Sequence, residues 1–562
     1  MRRRGHLKTP PRAGSRADTS DKLTVREYLE FLLPGCTDSD VPQWPPDVFG
    51  LVASVLQRSG AYTVVLEGWP PGSKERAGHW VERIRVLGKQ WRLAAADGTP
   101  FPRQVGIWWK LFLRSGRFPL AELSAHRAAC RAGLQLMVAA DEASAGVGLP
   151  DASVRGTPDW FELEAIGILH SESSLCRQIS STRLVVLPKL HTPQTGMTVR
   201  SLSHHLALCP ASDLTARWIK MPSRAQSRHA LNLLIVPWPH EILPAQFEPT
   251  SPPEADFRNL PSTYGCFRFK ARPEKPQQFD KWVMSLMDDA TRQVGSVDGV
   301  IFPESALTQP THERLRRKIL ARDSFLIAGV GDTSSQGLDR SANLLTFDIP
   351  LYGATASFSP QIQLRQSKHH KWCLDKRQII QYGLGGRLDS NKLWWEHIHI
   401  GPRQLYFVAM QPWLTMSVLI CEDLARQDPV GDFVRAVGPN LVVALLMDGP
   451  QLGSRWPARY ATVLADDPGS SVLTVTSLGM AELSRPPHVN KTSRVVGLWK
   501  DAKSGDPVQV ILPEDRDGVV VSVAAQFAQE WAADGRDDGG TTGYAVLTGV
   551  HYVRSAMGPP RA

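Results

Sequence analysis

Thr415-Met416-Ser417-Val418-Leu419-Ile420-Cys421-Glu422-Asp423-Leu424 is an apolar, β-type run that stops on a cysteine followed at once by two carboxylates. Such a run predicts a buried strand. The cysteine then falls at the sheet rim, where a loop or helix begins and backbone N–H groups are free. Cysteine is among the most buried residue types, so a single one ending an apolar run is more often core than nucleophile. Two other stretches shift that balance.

The first is Asp298-Gly299-Val300-Ile301-Phe302-Pro303-Glu304-Ser305-Ala306, a short apolar strand ending in Pro-Glu. The second is the polar, cationic segment Gln366-Ser367-Lys368-His369-His370-Lys371-Trp372. In that order, strand-Glu, Lys and strand-Cys resemble the Glu-Lys-Cys signature of the nitrilase, or carbon-nitrogen hydrolase, superfamily. The Cys-Glu-Asp-Leu form is closest to the glutaminase domains of glutamine-dependent NAD synthetases. Trp394-Trp395-Glu396, followed by Gly401, resembles the second glutamate segment of that branch. After Cys421, a strand from Asn440 to Asp448, a helix from Trp456 to Asp466 and a strand from Ser471 to Leu478 keep the family's order. The resemblance covers roughly residues 229–525. Lys368 is preferred to Lys371 because its spacing to His370 matches the family's Lys-x-His form. Glu396 lies farther behind the lysine than is usual, which implies an insertion.

The resemblance implies a nitrilase-like four-layer α-β-β-α sandwich that pairs through its outer helices into a homo-oligomer. It also implies roles. An amide or nitrile carbon is a poor electrophile, so its hydrolysis needs a strong nucleophile, a base to charge it and a cation for the developing negative charge. Cys421 would be the nucleophile and Glu304 the base that takes its proton and later hands it to the leaving amine. Lys368, with the backbone N–H after Cys421, would hold the oxyanion, and Glu396 would orient Lys368 or the attacking water. The expected activity is hydrolysis of a small amide or nitrile through a thioester, with no cofactor and no metal. If another amine meets the thioester before water, the same site is an N-acyltransferase. His369 and His370 read as surface or packing residues.

A reading from a different class is a weakly active or inactive nitrilase-like binding or scaffold module in a multi-component bacterial system. Nitrilase-like domains occur in some such systems that act with reverse transcriptases in phage defence, but this sequence carries no polymerase module. Leu464-Ala465-Asp466-Asp467 suggests a polymerase metal pair, yet leucine replaces the aromatic and Pro468-Gly469 follows, so it reads as a helix-end turn. A whole NAD synthetase is excluded because no Ser-Gly-Gly-x-x-x-Ser nucleotide loop follows the glutaminase-like half.

The chain has 562 residues, 42% of them hydrophobic, enough for two or more cores. Of the formal net charge of +9, more than half comes from Arg2, Arg3, Arg4, Lys8, Arg12 and Arg16 against Asp18. Residues 1–22 therefore read as a basic disordered tail, with weak nucleic-acid contact as its functional alternative. No apolar run is long enough to span a bilayer and no h-region follows the arginines, so neither a membrane span nor a secretory signal is expected. Seven cysteines without C-x-x-C spacing suit a reducing cytoplasm better than a disulfide scaffold or a zinc site.

Residues 23–225 read as a mostly α-helical N-terminal domain, with a protein partner as its expected ligand. Helical spacing marks Leu23–Leu33, Pro46–Ser59, Glu75–Leu87 and Leu120–Ala140. Phe161–Leu169 and Thr182–Leu187 read as strands and Val199–Leu208 as a helix. Lys189, His191, Arg200, His204 and His205 suggest either an anion or substrate pocket or a polar interdomain seam, and the seam is preferred. The tryptophans of this half read as core. Beyond it, Pro-rich 244–275 reads as a long loop, strands alternate with helices as in an α/β protein, and Asp534–Thr542 reads as mobile. Residues 526–562 form a C-terminal extension.

Overall fold

Successive side chains of a strand point to opposite faces, so a run of apolar residues can feed two cores at once. Ala230–Ile235 does this. Leu231, Leu233 and Ile235 enter one core, while Leu234 and the following Val236 enter another with Phe279, Trp282, Leu286, Leu315 and Ile319. Ile301 and Ile327 repeat the first choice, and Val300, Phe302, Leu326 and Ala328 the second. Strands buried on both faces are the mark of a parallel sheet with a layer on either side.

In the computed structural model the described residues are 23–37, 41–67, 74–150, 159–222, 228–250, 261–271, 275–334, 341–351, 361–485 and 493–560. The basic tail expected over residues 1–22 lies outside them. The chain is a mixed α/β protein built on two seven-stranded sheets. The first runs Gln361–Ser367, Ser341–Pro350, Phe325–Ser334, Gly299–Leu307, Ala230–Ile235, Gly518–Ala528, Thr542–Val553. The second runs Val508–Ile511, Val495–Lys500, Ser471–Thr476, Leu441–Leu446, Leu414–Ile420, Arg403–Gln411, Leu214–Lys220. The first core is shared, since Leu233, Ile301 and Phe347 of one sheet cluster with Phe407, Val443 and Leu473 of the other. Helices Pro276–Val294 and Gln309–Leu320 cover the far face of the first sheet. The three central strands of the second sheet are parallel, with Ile420 opposite Leu445 and Val443 opposite Leu473.

Both sheets take edge strands from outside the stretch that carries the resemblance. Leu214–Lys220 pairs in parallel with Arg403–Gln411, and Thr542–Val553 pairs antiparallel with Gly518–Ala528. The N-terminal region contributes helices Val25–Leu32, Pro45–Ser59, Lys74–Asp97, Arg103–Leu113, Arg127–Ala143 and Trp160–Glu172. Trp44, Trp80, Trp91, Trp108 and Trp109 are buried among them.

Four local expectations are overturned. Phe161–Leu169 is helix rather than strand, started by Asp159, whose side chain accepts from the Glu162 N–H; a strong N-cap decides a run whose apolar residues fit either period. Val199–Leu208 is a short turn, Val199–Leu202, followed by a strand, Leu206–Pro210, that pairs with Leu184–Pro188. Within 244–275, Phe247–Thr250 and Tyr264–Phe269 are strands. Between Asp534 and Thr542 the chain is pinned, because Arg536 is fully buried between Asp141, Glu142 and Asp534.

Candidate active site

Gly299–Leu307 and Leu414–Ile420 reach the same end of the facing sheets, and each turns through a left-handed residue. Ser305, just after Glu304, has φ 51° and Cys421 has φ 45°. For residues with a Cβ this region costs of order 1–3 kcal/mol and persists only where the surroundings impose it. Here the imposed turn takes the Cys421 thiol out of its strand and starts the short turn Cys421–Leu424.

Glu304, Lys368 and Cys421 are 3%, 1% and 3% exposed. The Lys368 Nζ lies 2.8 Å from Glu304 Oε1 and 2.7 Å from Glu396 Oε2. Asn343 Nδ2 donates to both carboxylates, at 2.7 Å to Glu304 and 3.0 Å to Glu396. The Trp372 N–H donates to Glu396 at 3.0 Å and the Met447 N–H to Glu304 at 2.7 Å. Met447 follows Leu446, the last residue of the strand beside the cysteine strand, and Ile420 faces Leu445 across that pair. The N–H that anchors Glu304 is therefore delivered from beside Cys421. The half-buried Lys371, the other lysine considered, lies one residue before the Trp372 N–H that holds Glu396.

One ammonium between two buried carboxylates leaves an excess of negative charge. Burial, then the Glu396 charge, raises Glu304 above the usual carboxylate range against the pull of Lys368. Burial disfavours the Lys368 cation, but Glu304 and Glu396 outweigh it and hold the ammonium well above the ordinary lysine value. Burial, then the Glu304 charge, pushes the Cys421 thiol up strongly, with Lys368 opposing. A thiol held up in this way needs a neighbouring base to charge it.

Four contributors were not assigned a role in the site from the sequence. Asn343 lies on the strand Ser341–Pro350 and bridges the two glutamates. Asp423, two residues past the cysteine, accepts from the His369 and His370 N–H groups and from His370 Nδ1, tying the lysine loop to the cysteine turn. His369, buried with its Nε2 on the Gln404 carbonyl, packs rather than facing solvent. The fourth is the small sheet Cys373–Leu374, Leu393–Glu396, Tyr264–Phe269, Phe247–Thr250, whose strand Leu393–Glu396 ends on Glu396 and which buries Phe247, Phe267, Trp372, Tyr382 and Trp394 in one cluster. Tyr382 and Arg455 both bond Asp448, whose charge reaches the Cys421 thiol.

Gly329 shows how tightly the base is seated. A Cβ there would lie 2.4 Å from both Glu304 Cα and the Pro303 carbonyl oxygen. Neither backbone atom can move alone. Gly329→Ala is expected to cost about 1–3 kcal/mol and to displace Glu304, read as a lowered melting temperature; an unchanged melt would contradict this packing.

No family model matches the sequence, and no curated protein matches it. Solved structures do. An amidase from Nesterenkonia sp. is similar with a TM-score of 0.31 and 10% identity, over 53% of this chain and 91% of that one. A mutant of that amidase, described as from the nitrilase superfamily, gives 0.31 and 10% over 52% and 91%. Saccharomyces cerevisiae Nit3, a member of branch 10 of the nitrilase superfamily, gives 0.32 and 10% over 53% and 90%. At this identity and score the likeness says nothing of the chemistry of this chain.

Proposed function

We propose that the chain is a thiol-dependent hydrolase of non-peptide C–N bonds, acting on a small amide or nitrile through a thioester on Cys421. One observation carries the reading: a buried thiol on a left-handed turn beside a glutamate that shares one buried lysine with a second glutamate. In this reading Glu304 takes the Sγ proton as sulfur attacks the substrate carbon. Lys368 and the Glu422 N–H receive the developing oxyanion, or the imidate nitrogen of a nitrile. With an amide, Glu304 then passes the proton to the departing amine or ammonia; with a nitrile it passes it to the imidate nitrogen, and a first water adds to the thioimidate and expels ammonia to leave the thioester. Water, activated by the same carboxylate, attacks the thioester and restores the thiol. Glu396 and Asn343 keep the Lys368 ammonium aimed, and Asp423 holds the lysine loop on the cysteine turn. An incoming amine in place of water would make the product a new amide. The two facing sheets with their helices are read as a four-layer α-β-β-α sandwich, and the N-terminal helices as an accessory unit that docks on it.

The pH profile tests the base. Glu304 must be ionised to accept the proton, and its ordinary value is raised by burial. The rate is therefore expected to rise with pH through a value above that of a free glutamate. Lys368, held well above the ordinary lysine value, contributes no fall on the alkaline side below about pH 10. Glu304→Gln is expected to lose the rising limb and about 10²–10⁴ in kcat/KM for ammonia release. A wild-type profile flat down to pH 4, or a Glu304→Gln variant with the same limb, would assign the proton transfer elsewhere.

A further inference from the structure

A second site lies away from the thiol, between helices of the N-terminal region, the two-stranded sheet of Leu184–Pro188 and Leu206–Pro210, and the helix Asp432–Val437. It is a cavity of about 650 Å³ lined by Tyr28, Arg58, Tyr62, Arg183, Arg200 and Arg435. Arg58 is at the end of helix Pro45–Ser59, Arg183 precedes the strand Leu184–Pro188, Arg200 is in the turn Val199–Leu202, and Arg435 is on helix Asp432–Val437. Four separate parts of the chain thus each contribute an arginine to the wall of one cavity, Arg58 as an exposed residue at its rim. The sequence pointed to this region through Lys189, His204 and Arg200. Folding gives them different partners: the buried Lys189 Nζ donates to the Arg200 and Ser203 carbonyls, and buried His204 bonds Thr192, while Arg200 is on the cavity wall.

The charges there do not balance. Arg200 grips Asp467 with both Nη atoms, at 2.9 and 2.7 Å, and Arg435 binds the same carboxylate. Asp432, on the wall, accepts from Gln427. Arg58 stacks over the Tyr28 ring at 5.1 Å, and Arg183 over the Phe31 ring at 5.6 Å with one N–H on the Leu32 carbonyl. Among the described residues neither forms an ion pair. Among the described residues the four arginines of the wall are thus set against two carboxylates, Asp432 and Asp467, which leaves two positive charges over. Two buried polar atoms of the wall, Arg435 Nε and Thr198 Oγ1, also have no hydrogen-bond partner among the described residues.

We infer that this cavity binds a phosphate monoester. Such a group carries roughly −1.5 to −2 charges at neutral pH, matching the surplus, and its oxygens suit the planar fork of arginine. The volume lies within the range of about 300–1,000 Å³ typical of small-ligand pockets and exceeds what phosphate alone would fill. The organic part would lie along Tyr62, which is half-buried on the wall.

The test is calorimetric titration of the full chain at low salt with inorganic phosphate, AMP and glucose 6-phosphate. At least one ester is expected to bind at a single site, more tightly than inorganic phosphate, and more weakly as salt rises. Arg58→Gln and Arg183→Gln are each expected to weaken binding about tenfold, the scale of one charge-assisted hydrogen bond, and the double variant more than either. Arg58→Lys and Arg183→Lys keep the charge and stem but lose the fork, and are expected to melt as wild type while binding severalfold less well. Cys421→Ala is expected to bind as wild type, which separates this site from the hydrolase reading. AMP binding that is tighter than glucose 6-phosphate and lost in Tyr62→Ala would identify a nucleotide; equal binding would identify the phosphate ester alone. No binding by any probe, inorganic phosphate binding as tightly as both esters, or unchanged binding in the double variant would overturn the inference.

Discussion

Lys368→Met is expected to lower stability by about 3–5 kcal/mol and turnover by at least about 10²–10³. The stability loss follows from what remains. Without the ammonium, Glu304 and Glu396 are two buried carboxylates joined only through Asn343 and single backbone N–H groups. Glu304, already raised by burial against the pull of Lys368, would then hold its proton more tightly still. A carboxyl whose folded pKa lies above its unfolded value favours the fold below the unfolded pKa and loses that advantage as pH rises through the folded one. The variant should therefore approach wild-type stability in mild acid and fall away toward neutral pH. Adding Glu304→Gln removes one of the two charges and is expected to recover part of the stability but none of the activity. Chemical denaturation of both variants at two pH values checks this. A Lys368→Met protein as stable as wild type at neutral pH would mean that the buried ammonium does not compensate the glutamates.

Cys421→Ala is expected to do the reverse. Alanine keeps the Cβ, and so the backbone cost of φ 45° is unchanged. The thiol leaves a small gap, and the melting temperature should move by only a few degrees. Turnover, in contrast, should fall by the order of 10⁵–10⁶, the scale seen when a nucleophile that works as a unit with its base is removed. Cys421→Ser is expected to fall nearly as far, because a buried hydroxyl is harder for Glu304 to deprotonate than a thiol. Residual ammonia release above about 1% of wild type in Cys421→Ala would point to another nucleophile.

The strands that position the site were legible because they are short apolar runs punctuated by a charged residue at the rim: Gly299–Leu307 with Glu304, Leu414–Ile420 before Cys421. The roles implied by the resemblance fell on residues that the fold brings into one buried cluster. Asn343 was not legible, since a single amide in the strand run Ser341–Pro350 looks like any polar residue until its two acceptors are in place. Asp423 stood inside the quoted motif, yet its work, holding the loop of His369 and His370, is a contact across more than fifty residues of sequence. The small sheet escaped for a related reason. Its strands pair across the chain, with Trp395 beside Cys266, and Pro249 sits in an edge strand where local propensity argues for a loop. Phe161–Leu169 was misread because a run apolar on nearly every side carries no clear period, and the Asp159 cap, not the apolar pattern, sets it as helix.

The most direct test of the central claim is intact-mass analysis of enzyme quenched in acid during turnover of small amides and nitriles. The account predicts a mass increase equal to the acyl group, carried on the peptide containing Cys421, present in wild type and absent in Cys421→Ala. Glu304→Gln should accumulate it only slowly. An active wild-type enzyme with no acyl adduct, or an adduct that persists in Cys421→Ala, would contradict a thioester at this cysteine.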